Sequence, residues 1–242
     1  MAIAENDDRI LREPSPTHLH AGGAADWDIS PEVLAFLQTH VKAGMHTLET
    51  GAGRSTIEFA RAGAFHIAVT PMRDEAQRIE AACRAERIDT SALRFEIGFS
   101  QDVLPQLAIA PLDVALIDGG HGFPVPAVDF QFIAPKLKVG GLLLIDDVDL
   151  WTGAMIVDFL KGEKDWRLER ILRGRTAIVR LLNAYAPHEW VRQPTVVSKS
   201  RWRQRARKAA NLCGLLARFD FSAIREKLAK EQVLAEAAKR DY

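Results

Sequence analysis

The sequence predicts a doubly wound α/β fold, a mostly parallel sheet with helices on both faces, and three observations predict it. Runs rich in Val, Ile and Leu, LDVALID (Leu112–Asp118) and GGLLLIDD (Gly140–Asp147), lack polar alternation, as strands buried on both faces do. Helical stretches separate these and the earlier apolar runs, and a helix is the compact way to make a right-handed parallel crossover. Two late runs, Trp166–Leu172 and Thr176–Leu182, are joined only by Arg173-Gly174-Arg175. A link that short closes a hairpin, so the sheet ends antiparallel.

Each element follows from its own residues. Residues 1–29 carry Pro14, Pro16 and Gly22-Gly23 and no periodic pattern, so they read as a mobile arm. Ser30-Pro31-Glu32 is a helix start, with serine at the cap and proline in the first turn. Strands are expected at Met45–Glu49, Phe65–Thr70, Leu93–Ile97, Val114–Asp118 and Leu142–Asp146. Helices are expected at Ser55–Ala62, Asp74–Arg87, Asp102–Leu107 and Val125–Leu137, with another near Met155–Lys161 ahead of the hairpin. The result is one three-layer domain over residues 30–182 with about seven strands.

A chain of 242 residues can bury a sizeable core as one such domain with additions. No apolar run approaches the length of a membrane span, and MAIAENDDRI lacks the basic start and apolar middle of a signal peptide. A cytoplasmic setting is expected. Cys83 and Cys213 are too few and too unpatterned for a disulfide framework or a zinc site.

The net charge of zero is unevenly spread. From Thr195 onward twelve Lys and Arg face five acids, leaving the tail about +7 and the body about −7. Residues 183–242 therefore form a basic helical extension, with Trp202, Ala206, Ala209, Cys213 and Leu216 at helical spacing and a second such stretch over Ala223–Ala238. Helices of this kind cover a core or a partner subunit, as in a homodimer, or meet an anionic membrane or nucleic acid.

In open α/β sheets, ligands bind where strands end. If the runs ending at Asp118 and Asp147 are neighbouring strands, Asp118, Asp146 and Asp147 gather there. Three carboxylates in one place repel unless they are solvated or hold a cation. The first strand runs into ETGAGRST (Glu49–Thr56), where Gly51 and Gly53 permit a tight turn with close backbone approach, and Ser55 or Thr56 can cap the next helix. Thr56 stands where a dinucleotide fingerprint has its third glycine, which argues against NAD. His121, in a loop with Gly119, Gly120 and Gly122, can take a proton near neutral pH. Phe123 and Trp151 follow the two acidic ends and are placed to wall a pocket. His18 and His20, in the arm, are weak metal candidates.

The order of these motifs resembles a class I S-adenosylmethionine-dependent methyltransferase over roughly Ser30–Leu182, a family whose seven-stranded, Rossmann-like sheet also ends in a hairpin. FSQDVLPQL (Phe99–Leu107) is similar to the adenine-contacting segment of catechol O-methyltransferase and its metal-dependent relatives. The Asp-Asp pair is also similar to that of the sugar O-methyltransferases that modify macrolides.

The resemblance implies a donor, S-adenosyl-L-methionine, lying along Gly51, Gly53 and Ser55, with its adenine near Ser100 and Gln101. Glu49 would order the glycine loop or face the methionine moiety. Magnesium (Mg2+) on Asp118, Asp146 and Asp147 would orient and acidify a hydroxyl of a small-molecule acceptor, and His121 would receive the proton at the position where the catechol enzymes have a lysine. One departure stands out. Many of these enzymes end the second strand with an acid that grips the donor ribose, but here the chain reads AVTPMRDE, so either Thr70, Asp74 or Glu75 substitutes or donor affinity is weak. Beside this metal-assisted O-methyltransferase stand two alternatives. One is a metal-independent methyltransferase acting on another nucleophile or, guided by the tail, on RNA. The other, kept open by Thr70, is a donor-binding or assembly protein with a degenerate site.

Overall fold

The computed structural model describes residue 19 and residues 29–217, and the chain divides into two compact units, Met1–Ala186 and Pro187–Tyr242. The first unit holds a seven-stranded sheet of β1 (His46–Thr50), β2 (Phe65–Thr70), β3 (Leu93–Ile97), β4 (Leu112–Ile117), β5 (Leu137–Ile145), β6 (Trp166–Leu172) and β7 (Thr176–Leu181). Its order is β3-β2-β1-β4-β5-β7-β6. Strands β1 to β5 are parallel, and β7 inserts antiparallel between β5 and β6. The expected doubly wound sheet with its terminal hairpin is present.

The central strands have no polar face because both faces are covered. Ala115, Ile117, Leu143 and Ile145 share a buried cluster with Phe130 and Ile133 of α5 (Val125–Ile133) and with Ile156 and Leu160 of α6 (Trp151–Leu160). Their alternating neighbours Val114, Leu116, Leu142 and Leu144 pack with Val33 and Leu37 of α1 (Pro31–His40) and Phe59 of α2 (Arg54–Arg61). A third cluster joins α2 to Ile79 and Cys83 of α3 (Arg73–Ala85) and includes Leu19, which is only 3% exposed. The Leu19 carbonyl also accepts a hydrogen bond from Arg78 Nε at 2.6 Å. The arm, expected to be mobile, thus has an anchored residue at Leu19, which the absence of periodicity around it did not reveal.

Several boundaries differ for identifiable reasons. The helix expected over Asp102–Leu107 is a single turn, α4 (Ser100–Val103), followed by a 3-10 turn at Leu104–Gln106. Pro105 has no N–H to continue the ladder. Pro135 likewise ends α5 at Ile133 ahead of a 3-10 turn. Strand β5 starts five residues earlier than expected, at Leu137 rather than Leu142, because an irregularity in the β4–β5 register lets it pass Gly140, at φ +85°. Helix α6 begins at Trp151, well before Met155. Its first turn packs so closely that a Cβ at Gly153 would lie 2.6 Å from the Asp147 carbonyl oxygen.

Strand register decides where the loops emerge. Thr50 lies opposite both Val69 and Ile117, and Ile117 opposite Ile145, so β1, β2, β4 and β5 end along one edge. Because β7 runs the other way, with Ala177 opposite Ile145, the β6–β7 turn reaches that same edge.

The second unit contains a 3-10 turn (Trp190–Arg192) and α7 (Pro194–Ala217), along which Arg201, Arg203, Arg205, Arg207 and Lys208 are exposed. The stretch Ala223–Ala238 and both His18 and His20 lie outside the described residues. Among the described residues, no helix is long and apolar enough to cross a membrane.

Candidate active site

The sheet order reverses between β1 and β4, and the glycine loop lies in that crevice. Gly51 is at φ +91°, and a Cβ there would sit 2.2 Å from the Asp118 carbonyl oxygen. Only glycine allows the two loops to approach so closely. Beneath the loop is a buried polar network. Glu49 Oε2 accepts the Ser55 hydroxyl at 2.6 Å, and its Oε1 accepts the Thr56 hydroxyl and lies 3.1 Å from His66 Nε2. Thr56 Oγ1 accepts the Gly53 N–H at 2.9 Å, and His66 Nδ1 meets Thr47 Oγ1 at 2.8 Å under the Phe59 ring. Thr56, one of the two expected caps, therefore secures the start of α2. Glu49 and Ser55, both expected at the donor, are bonded to each other below the loop, at 1% and 3% exposure. Their side chains hold the loop from beneath. Of the two roles expected for Glu49, ordering the loop is the one its contacts perform.

At the end of β2, Thr70 donates its hydroxyl to Glu75 Oε2 at 2.8 Å and accepts the Met72 N–H at 3.2 Å. The first turn of α3 thereby returns a buried carboxylate to the position where the sequence lacks one. Of the candidates Thr70, Asp74 and Glu75, the first and last come together, while Asp74 is exposed.

Ser100 opens α4 and is buried, and Gln101 beside it is exposed. Below them is a carboxylate that the sequence reading missed. Asp129 of α5 is fully buried, and neither of its oxygens makes a well-aligned hydrogen bond. Burial raises its carboxyl above the usual range, against the opposing pull of the Ser100 and Thr50 hydroxyls.

The three expected acids do converge. Asp118, whose N–H donates to the Thr50 carbonyl at 3.1 Å, is held well above the usual carboxylate range. Burial is the main cause, followed by the charges of Asp146, Glu49 and Asp147, with Arg175 opposing. Asp146 is buried and accepts the Thr176 hydroxyl on Oδ1, while its Oδ2 lies 3.2 Å from Arg175 Nη2. Asp147 Oδ1 lies 2.6 Å from Arg175 Nε, and Oδ2 lies 3.1 Å from His121 Nδ1. Asp147 is at φ +49°, a left-handed conformation that costs a non-glycine residue roughly 1 kcal/mol. His121 is exposed, and its carbonyl accepts the Thr152 hydroxyl at 2.8 Å. Phe123 and Trp151 stand beside it, each 67% exposed, with ring centroids 5.9 Å apart.

These residues do not fit a divalent cation as they stand. Every oxygen of Asp146 and Asp147 is within contact distance of a group of this chain, and a guanidinium bridges the two carboxylates. Among the described residues, no group of three or more His, Cys, Asp or Glu side chains is arranged to hold a metal ion. The sequence reading missed Arg175, taking it only as part of a turn. The signal is conditional on the fold: once β7 is known to pair antiparallel with β5, a residue just before β7 must lie at the edge where β5 ends.

Residues 48–148 match the profile of a family described as a methyltransferase domain. No curated protein matches the chain. Several solved structures share the fold. The O-methyltransferase TomG from Streptomyces achromogenes, involved in tomaymycin synthesis and solved with SAM, is 17% identical with a TM-score of 0.56, the match covering 65% of this chain and 83% of that one. Cofactor-bound Rv0187 from MTB is 18% identical with a TM-score of 0.54, covering 64% and 83%. The O-methyltransferase from Bacillus cereus, solved with SAH, is 16% identical with a TM-score of 0.52, covering 65% and 84%. The matched profile gives residues 48–148 a methyltransferase domain, and the sheet order and glycine crevice belong to the fold that these structures share. The chain shares its fold with the O-methyltransferases just described.

Proposed function

We propose that this protein methylates a hydroxyl oxygen of a small molecule, with His121 as the base. The observation that carries the reading is the His121–Asp147 pair, 3.1 Å apart, at the edge where Gly51 meets Asp118. A carboxylate beside Nδ1 favours the tautomer with its proton there, which leaves the lone pair on Nε2 for the acceptor. In the proposed step an acceptor oxygen attacks the donor's methyl carbon. The carbon–sulfur bond breaks with its electrons going to sulfur, S-adenosylhomocysteine leaves, and the hydroxyl proton passes to His121 Nε2. Holding oxygen, carbon and sulfur in line supplies much of the rate. The exposed Phe123 and Trp151 rings support an acceptor with a flat apolar face. Thr70 and Glu75 supply the polar end of β2 for the donor ribose, and the Ser100–Gln101 turn supplies the adenine side.

No step of this scheme runs through a metal; the expectation of magnesium rests on the resemblance. The test is methyl transfer from labelled S-adenosylmethionine to a panel of phenols, catechols and sugar hydroxyls, run with and without a chelator. Turnover that falls about a hundredfold or more in His121→Ala supports the reading. Donor binding without turnover on any acceptor would favour the degenerate donor-binding protein instead.

A further inference from the structure

The gathering of three aspartates calls for a positive charge, and the fold already supplies one. Arg175 comes from the β6–β7 turn, far along the chain from the residues it meets, and its backbone is fixed on both sides. Its N–H donates to the Leu172 carbonyl at 2.9 Å, and its carbonyl accepts the Val148 N–H at 2.8 Å, directly after the acidic pair. The next residue, Thr176, donates its hydroxyl to Asp146. The guanidinium thus arrives on a short tether, with Nε 2.6 Å from Asp147 and Nη2 3.2 Å from Asp146. A planar fork suits two adjacent carboxylates and keeps its charge at any working pH.

We infer that Arg175 is the resident cation of this site, standing between Asp146 and Asp147 where a divalent metal would otherwise bind, so that the acidic edge works without one. The inference rests on the methyltransferase reading for its meaning. Arg175 acts here as a positioning residue. It holds Asp147 in its left-handed turn, and Asp147 in turn holds His121. A metal that chelates its substrate favours acceptors with two adjacent oxygens. With an arginine in its place the acceptor class widens to single hydroxyls.

The test is calorimetric titration of the full chain with magnesium chloride, with and without S-adenosylmethionine, for wild type, Arg175→Ala, Arg175→Lys and the triple variant Arg175→Ala/Asp146→Asn/Asp147→Asn. Wild type and Arg175→Lys are expected to show no saturable magnesium binding up to millimolar concentration. Arg175→Ala is expected to bind at least tenfold more tightly than wild type, and the triple variant to lose that gain. A purely structural arginine would not uncover a metal site. Saturable binding by wild type that Asp146→Asn abolishes overturns the inference. So does the absence of binding in both wild type and a folded Arg175→Ala. If Arg175→Ala does not fold, Arg175→Gln takes its place under the same two criteria. The donor titration is read separately. Failure to bind S-adenosylmethionine breaks the methyltransferase reading and leaves the magnesium result intact.

Discussion

Two carboxylate clusters sit on neighbouring strands, and each is held by a basic residue from elsewhere in the fold. At the end of β1, Glu49 is sealed at 1% exposure with His66, Ser55 and Thr56 around it, and both of its oxygens are hydrogen-bonded. At the ends of β4 and β5, Asp146 and Asp147 share one guanidinium, with Asp118 close enough to feel their charges. The surrounding loops are open, Asp147 is in a left-handed turn, and Asp118 is held far above its usual range. A satisfied buried network rigidifies what it touches. A cluster left over-acidic and strained beside exposed groups is where function is expected. The first cluster shapes the loop, and the second lies where the proposed chemistry takes place.

That contrast can be broken most severely at Glu49. Glu49→Ala removes the common acceptor of three buried groups and should cost about 3–5 kcal/mol of stability, read by denaturant unfolding. A loss below about 1 kcal/mol would mean the network is not the scaffold described. Next comes His121→Ala. Here stability should hardly change, since the ring is exposed, while kcat falls on the order of 10²–10⁴-fold. Equal losses of stability and activity would erase the distinction between the clusters.

A smaller effect is expected at Trp151. Trp151→Ala should raise the acceptor KM about tenfold, as losing one apolar contact does, with kcat less affected. An unchanged KM would remove the ring from the acceptor's wall.

The smallest effect concerns Asp129, the buried carboxyl below Ser100. Because burial raises its pKa in the fold, the folded protein binds that proton more tightly than the unfolded chain. Its stability is then full below the usual carboxylate range and declines as pH rises through that range toward the raised value. Asp129→Asn should flatten part of that decline and raise Tm at neutral pH on the order of 2–4 °C. Asp118, shifted in the same direction, keeps some slope in the variant. A Tm-versus-pH curve parallel to that of wild type would show that Asp129 carries none of it.

Strand and helix order were legible because apolar runs, turn glycines and prolines act locally. LDVALID and GGLLLIDD read as doubly covered strands, and the three-residue link read as a hairpin. The convergence of Asp118, Asp146 and Asp147 was legible too, since strand ends in such a sheet share an edge. Their neutralisation was not. Arg175 meets Asp146 only because β7 inserts between β5 and β6, a pairing no local pattern specifies. The burial of Ser55 on Glu49 depends likewise on α2 packing over β1, and the anchoring of Leu19 on a cluster built by α2 and α3.

The sequence by itself therefore determined the fold class, the glycine crevice and which acids stand at its edge, since periodicity and backbone freedom are properties of short segments. The tertiary structure alone decided which of those groups face the crevice and which support it, and what charge opposes the acids. Burial and ion pairing depend on distances between residues far apart in the chain, and only the packed fold sets those distances.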